Sequence, residues 1–424
     1  MTLTPDQTRA AETALSVLTR QADHRQCVLA GYAGTGKTYT TQHIAQRLTE
    51  AGYRVAALSP THRAGAVLAE ALPPSVDVRT LHSALGMGKG RNGEFRQLGR
   101  AKLSGVDAIL VDECSMVDDK IMQTLVASTS AAETPILWIG DPAQIPPVGL
   151  PASPVFGAVQ THVRLEKIVR QAEDNPIIAA SMYLRDCLEA GRMPDPHEMW
   201  ASLPADPDTI VMIPGNPQSL AEDAYGARAH GLDARALAYR NKTVDLLARL
   251  IHAQTHPPGT PRYTSGDPVV FGRAYEAEGS EAHNGAQGTV VANQGMSVHG
   301  SAGLQCHLVS VLLDDGRMVE GHAPDDPVTL ATAINRLDRA RQAAIKAGRG
   351  SEAVRAAEAI GQLEAEYMDL HHATASTSHK AQGSTWDVAV VDWRDMTRCG
   401  NPRLAARLLY VACTRPRKFL VIGA

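Results

Sequence analysis

The chain has 424 residues, 44% apolar and 4% aromatic, with a formal charge of −4. That length predicts about two to four domains rather than one. The slight acidity excludes a surface coated in positive charge, so any nucleic-acid binding must use a local groove. The six cysteines (Cys27, Cys114, Cys187, Cys306, Cys399 and Cys413) are scattered without C-x-x-C spacing, which argues against a disulfide framework or a zinc site. No apolar run approaches the roughly 20 residues of a membrane helix. The segment Met1 to Asp6 lacks the basic and apolar regions of a signal peptide. The expectation is a soluble protein in a reducing, cytoplasmic setting.

Residues 1 to about 165 alternate strand and helix patterns, which predicts a parallel α/β sheet. Its candidate strands are 27–30, 55–59, 108–111 and 136–139, each ending in a polar loop. The first runs into Gly31-Tyr32-Ala33-Gly34-Thr35-Gly36-Lys37-Thr38, and a helical pattern spans 40–51. This is G-x-x-x-x-G-K-[ST] between a strand and a helix, the context a P-loop requires. Gly31, Ala33, Gly34, Thr35 and Gly36 would close backbone N–H groups around phosphate oxygens. Lys37 would reach the β- and γ-phosphates of ATP, and the Thr38 hydroxyl would bind Mg²⁺. Residues 85–103 then break into a basic, glycine-rich stretch containing Phe95, expected to be an inserted hairpin or loop. The strand 109–111 ends in Asp112-Glu113. Asp112 would hold Mg²⁺ through its water shell, and Glu113 would orient and deprotonate an attacking water. After the strand 136–139 comes Gly140-Asp141-Pro142-Ala143-Gln144, and Gln144 would sit near the γ-phosphate.

A second α/β pattern begins near Val163, with a strand at 234–239 and a helix from Lys242. From about Pro257 short strands and tight turns predict a small β-barrel, and 331–370 predicts two antiparallel helices with a break at 347–351. Strand patterns return at 388–391 and 419–422. The barrel and helical hairpin are therefore expected as insertions in the second α/β domain.

The segment 140–144 resembles the third motif of superfamily 1 helicases, G-D-x-x-Q. Thr377-Ser378-His379-Lys380-Ala381-Gln382-Gly383 resembles the fifth, and Tyr410-Val411-Ala412-Cys413-Thr414-Arg415 the sixth. Ser59-Pro60-Thr61-His62 resembles motif Ia, Thr80-Leu81-His82 lies in a segment like motif Ib, and 165–171, with Arg170, resembles motif IV. Leu3-Thr4-Pro5-Asp6-Gln7 resembles the adenine-reading Q motif. The likeness spans nearly the whole chain and is nearest to the RecD/Dda branch, superfamily 1B, most like a phage Dda-type enzyme. The segment Thr374-Ala375-Ser376 departs from the more apolar run expected before motif V.

The resemblance implies two RecA-like P-loop domains: 1A over 1–84 and 104–165, and 2A over 166–256 and 371–424. A β-hairpin pin, 1B, would occupy 85–103, and an SH3-like barrel with a helical tower, 2B, 257–370. It implies ATP-dependent 5′→3′ translocation on single-stranded DNA with strand separation. Lys37, Glu113, Gln144, Arg170 and Arg415 would be catalytic, with the two arginines reaching across a cleft. Gln7 would read the adenine, Gly383 would lie at the nucleotide, and Tyr239 or Arg240 could flank it. Thr61, His62, Thr80, His82, Thr377, His379 and Lys380 would track the DNA backbone, and Phe95 would stack on a base or pack against the parent domain. The implied partners are single-stranded DNA, duplex junctions and a single-strand-binding protein or replisome component, with a monomer sufficient. A translocase that strips bound proteins, a non-motor ATP switch and an RNA-directed enzyme are the competing readings.

Overall fold

The computed structural model describes residues 3–89, 95–167, 175–204, 208–277 and 279–424. Four short apolar runs and two more polar segments between residues 26 and 165 become the strands of a six-stranded sheet. Its order is Asp77–Thr80, Val55–Ser59, Ala108–Val111, Ile136–Gly140, Gln26–Gly31, Thr161–Leu165. Every neighbouring pair is parallel. The three strands Val55–Ser59, Ala108–Val111 and Ile136–Gly140 are buried at every position, as strands covered on both faces must be. Helix Pro5–Leu18 supplies Ala10, Ala14 and Leu18, and helix Lys37–Glu50 supplies Ile44 and Leu48, to a core shared with Leu29, Leu110 and Leu137.

A second parallel sheet has the order Ala375–Thr377, Ala234–Ala238, Trp386–Asp392, Pro416–Gly423, Ile210–Ile213. Its core gathers Leu184, Leu237, Val391, Leu408, Val411 and Ile422. Ala143 and Ile145, from the loop after the first sheet's strand Ile136–Gly140, are buried in this second core. The polar segment before motif V forms the edge strand of this sheet, with Ala236 and Ala238 opposite Ala375 and Thr377.

A third sheet is antiparallel, in the order Met318–Pro324, Leu304–Leu313, Gln287–His299, Pro268–Phe271, Leu370–His372. The helices Pro327–Lys346 and Gly350–Glu366 lie between its last two strands in sequence. The first begins at 327 rather than 331 because Asp326 caps it and Pro327 occupies its first turn. The pair ends at 366 rather than 370, and Leu370 opens a strand. Met87–Lys89 pairs with Phe95–Gln97 in a separate two-stranded ladder.

The chain divides into two compact units, one of 1–86, 99–250 and 375–424, the other of 87–98 and 251–374. The first holds both parallel sheets. The boundaries near 250 and 374 lie a few residues from those expected at 256 and 370. The second shift follows from Leu370–His372 pairing with Pro268–Phe271. Among the described residues, no helix is long and apolar enough to cross a membrane. Five of the six cysteines are buried and all are free.

Candidate functional site

The loop between strand Gln26–Gly31 and helix Lys37–Glu50 has glycine wherever another residue would fail. A Cβ at Gly31 would meet Thr35 Oγ1 at 2.6 Å. Gly34 and Gly36 take φ of 79° and 83°, a region side chains disfavour. Gly36 caps the helix without a side-chain acceptor, so the first-turn N–H groups keep the partial positive charge that attracts an anion. Thr35 Oγ1 donates to Tyr32 O at 2.8 Å and ties the loop closed. Lys37 Nζ donates to Gly31 O at 2.8 Å and Tyr32 O at 3.1 Å, and lies 3.9 Å from Asp141 Oδ2. Thr38 is exposed on the first turn. Gln7 is buried: its carbonyl accepts Thr4 N–H at 3.0 Å and its amide donates to Thr35 O at 3.1 Å. It therefore braces the loop.

Strand Ala108–Val111 runs directly into Asp112 and Glu113. Asp112 Oδ1 accepts the Glu113 N–H at 2.9 Å. Glu113 takes φ of 51°, a conformation costing about 1–2 kcal/mol for a side-chain-bearing residue. Such strain is kept where it aims a group. Both carboxylates retain some accessible surface, yet protein atoms crowd them. Burial raises Asp112 above the ordinary carboxylate value, against the Glu113 N–H and Lys37. Burial, then the Asp112 charge, push Glu113 up to about 7, with Arg415 and Lys37 opposing. A carboxylate poised near neutrality suits a general base. Gly140, ending the next strand, permits this approach: a Cβ there would meet Cys114 Sγ at 2.6 Å.

The following loop joins the two parallel sheets. Asp141 Oδ1 accepts Ala143 N–H at 2.9 Å, and Oδ2 accepts the Tyr410 hydroxyl at 2.6 Å. The same hydroxyl oxygen accepts Ala33 N–H from the glycine loop at 2.9 Å. Burial, with the Asp141 charge second, holds the Tyr410 phenol well above its ordinary value, so it stays a donor. Gln382 Nε2 donates to Gln144 Oε1 at 3.2 Å and to Ile145 O at 3.1 Å. Arg407 donates to Pro142 O at 2.7 Å and also to Gln144 O. Arg185 lies 4.0 Å over the Tyr32 ring. Arg415 is 8% exposed and donates to Val411 O, Ser384 O and Thr414 Oγ1 within the second sheet's layer. Sequence reasoning assigned no role to Tyr410, Asp141, Gln382, Arg407 or Arg185. The first three lay inside quoted motifs, but their partners are over 230 residues away in sequence for Tyr410–Asp141 and Gln382–Gln144.

Thr61, Thr80 and Thr377 are helix N-caps, accepting Ala64, Ser83 and Lys380 N–H at 3.2, 3.2 and 3.3 Å. His62 and Lys380 are exposed; His82 and His379 are partly buried, and burial lowers both imidazoles below their ordinary value. Gly383, at φ 70°, has a packing reason: a Cβ would meet Ala64 Cβ at 2.9 Å. Tyr239 and Arg240 both donate backbone N–H to buried Asp395, and Arg240 adds its side chain at 2.6 Å. Arg170 and the Phe95 side chain lie outside the described residues.

Residues 2–192 match the AAA domain family, and 372–422 the UvrD-like helicase C-terminal domain. The chain is 36% identical over 173 residues to the ATP-dependent RecD2 DNA helicase of Deinococcus radiodurans, covering 40% of this chain and 23% of that protein. It is 29% identical over 169 residues to the ATP-dependent DNA helicase PIF1 of Trypanosoma brucei brucei, covering 37% and 17%. The chain thus matches about a quarter or less of the length of these two relatives. A crystal structure of Pif1 helicase from Bacteroides, in complex with ADP-AlF3 and ssDNA, superposes with TM-score 0.55 at 16% identity, over 100% of this chain and 93% of that one. Pif1 helicase from Candida albicans gives 0.53 at 18%, over 100% and 94%.

Proposed function

We propose that the chain is a superfamily 1B helicase of the Pif1 and RecD2 type, which it resembles in sequence and fold, and that it hydrolyses ATP to move 5′→3′ along single-stranded DNA and part the duplex ahead. One observation carries the reading. Tyr410, in the second sheet's layer, accepts a hydrogen bond from phosphate-loop Ala33 and donates one to Asp141. A ligand that reorders the loop must therefore disturb the packing between the two parallel sheets. Coupled domain motion of this kind turns phosphate chemistry into a step.

Within this reading the loop N–H groups and Lys37 hold the ATP phosphates, and Glu113 takes the proton of the attacking water. Arg415, whose charge already acts on Glu113, stabilises the transferring phosphoryl group after a modest shift; Arg170 is proposed to act with it. The Thr38 hydroxyl and the Asp112 carboxylate are hard oxygen donors that fit Mg²⁺, and a nearby cation would offset the burial that raises Asp112. Mg²⁺ there would neutralise charge on the β- and γ-phosphate oxygens. Gln144 reports the γ-phosphate to Gln382 through their direct hydrogen bond.

The DNA track is proposed along the short helices capped by Thr61, Thr80 and Thr377. Their N-termini offer backbone N–H groups to phosphates, and Lys380 offers charge. The hairpin around Phe95 is proposed as the separating pin, the antiparallel sheet and helix pair as its SH3-like support. A single-strand-binding protein or replisome component is the proposed partner, in the cytoplasm of a bacterium or infected host, and a monomer suffices. The test uses duplexes with a 5′ or a 3′ single-stranded tail. Unwinding from the 5′ tail alone is expected, lost in Lys37→Ala. Unwinding from the 3′ tail would remove the polarity; hydrolysis stimulated by DNA without unwinding would favour a protein-stripping translocase.

A further inference from the structure

We infer that His252, His256 and Asp267 form a binding site for a first-row transition metal ion, best matched by Zn²⁺. His252 and His256 are four residues apart on the last turns of helix Asn241–Thr255 and its extension, where His256 N–H donates to His252 O at 3.0 Å. That spacing puts both imidazoles on one face. Asp267 immediately precedes strand Pro268–Phe271 of the antiparallel sheet. The fold brings the Nε2 atoms of both rings to opposite oxygens of one carboxylate: 2.7 Å from His256 to Oδ1 and 3.3 Å from His252 to Oδ2. One ligand atom from each residue lies within 4.8 Å of the other two. Bonds of about 2.0–2.1 Å to a tetrahedral ion set ligand atoms about 3.3 Å apart, so small side-chain adjustments suffice.

A plain hydrogen-bonded cluster accounts for only part of this. One carboxylate between two imidazoles holds His256 closely, but the buried His252 Nε2 sits 3.3 Å from Oδ2 without good hydrogen-bond geometry. A poorly paired buried nitrogen is costly; a metal ion would use its lone pair. The side chains are 13%, 16% and 5% exposed for His252, His256 and Asp267, so the site is sheltered yet reachable. Asp267 Oδ2 is oriented by the Thr264 N–H at 2.7 Å, as ligating carboxylates usually are. The ring of buried His372 lies 4.9 Å from that of His252 and stacks on Tyr263, walling one side. Two imidazole nitrogens and one carboxylate oxygen suit Zn²⁺ rather than Mg²⁺. Three protein ligands leave a fourth position for water or His372. The ion would pin the helix end to the first strand of the antiparallel sheet.

The test strips the full chain with chelator, saturates hard-oxygen sites with excess Mg²⁺, and titrates Co²⁺ as a visible probe. One equivalent should give the intense absorption bands of a four-coordinate ion, displaced by Zn²⁺. Zn²⁺ should raise the melting temperature of the wild-type chain by mass action. His252→Gln and His256→Gln, checked for native circular dichroism, should each weaken Co²⁺ binding by at least about tenfold. A stripped wild-type chain with no such band, or folded variants that bind Co²⁺ as tightly as wild type, would overturn the site and leave a hydrogen-bonded cluster.

Discussion

In the first parallel sheet the edge strand Asp77–Thr80 ends at a helix-capping threonine, with His82 two residues on; in the second, Ala375–Thr377 ends the same way, with His379 two residues on. The strands inside those edges differ. The first sheet carries the glycine loop, Lys37, Asp112 and Glu113, with helix N–H groups left for a ligand. The second carries Gln382, Arg407 and Tyr410, whose polar atoms are spent on the first sheet's loops. Like edges suit a ligand that runs across both sheets, such as a phosphate backbone. On the proposed reading the unlike centres divide the labour: the first sheet holds the phosphates and supplies the base, and the second registers the nucleotide and lends Arg415.

The sharpest way to break that division is at Glu113. Replacing it by Gln should lower ATP hydrolysis by about 10²–10⁴-fold. The same change should raise thermal stability, with a defined sign. Glu113 is raised from 4.5 to about 7 in the folded protein, so its ionisation costs the fold nothing below the unfolded value and most above the folded one. The stabilisation should be full at pH 8 and fade as pH falls from about 7 toward 4.5. In the wild type, kcat/KM for ATP should drop on the acid side with a midpoint near that raised value. A variant no more stable than wild type at pH 8 would mean the carboxylate is not strained by burial.

Lys37→Ala should reduce hydrolysis by about 10²–10³-fold while leaving nucleotide-free DNA binding intact, since the role proposed for Lys37 is confined to the phosphates. Loss of both together would blur the two roles. The smallest effects belong to the edges. Thr80→Ala and Thr377→Ala should each cost about 1 kcal/mol of stability as lost helix caps. They should weaken single-stranded DNA binding by similar factors in a filter or anisotropy assay. A large effect at one edge and none at the other would refute the shared track.

Local signals carried the sequence reading furthest in the first sheet. The glycines of 31–36, the acids at 112–113 and the apolar strands before them are contiguous, and geometry gives each glycine a reason. The helix start at Pro327 was also local: an Asp-Pro cap that a search for apolar periodicity passed over. What stayed hidden depends on contacts distant in sequence. The Tyr410 hydroxyl is polar but unremarkable until the fold sets it beside Ala33 and Asp141. Gln7 has the residue type of an adenine reader, and its further bond to Thr35 O in the glycine loop, 28 residues away, was not visible in the sequence. The histidines at 252 and 256 have metal-binding spacing, but only chain folding brings Asp267 to them. His371 and His372 read as the return of the second α/β domain, whereas Leu370–His372 pairs with Pro268–Phe271 of the antiparallel sheet.

The coupling between the two sheets is tested most directly by steady-state ATP hydrolysis of wild type and Tyr410→Phe, with and without single-stranded DNA. Phe keeps the buried ring but leaves Ala33 N–H and Asp141 without that partner, a loss of about 1–3 kcal/mol. The account predicts strong DNA stimulation in the wild type. In the variant it predicts stimulation reduced by roughly 10-fold or more, and basal turnover much less affected. A variant stimulated by DNA as fully as wild type would contradict it, and the second sheet would then be a bystander to the chemistry of the first.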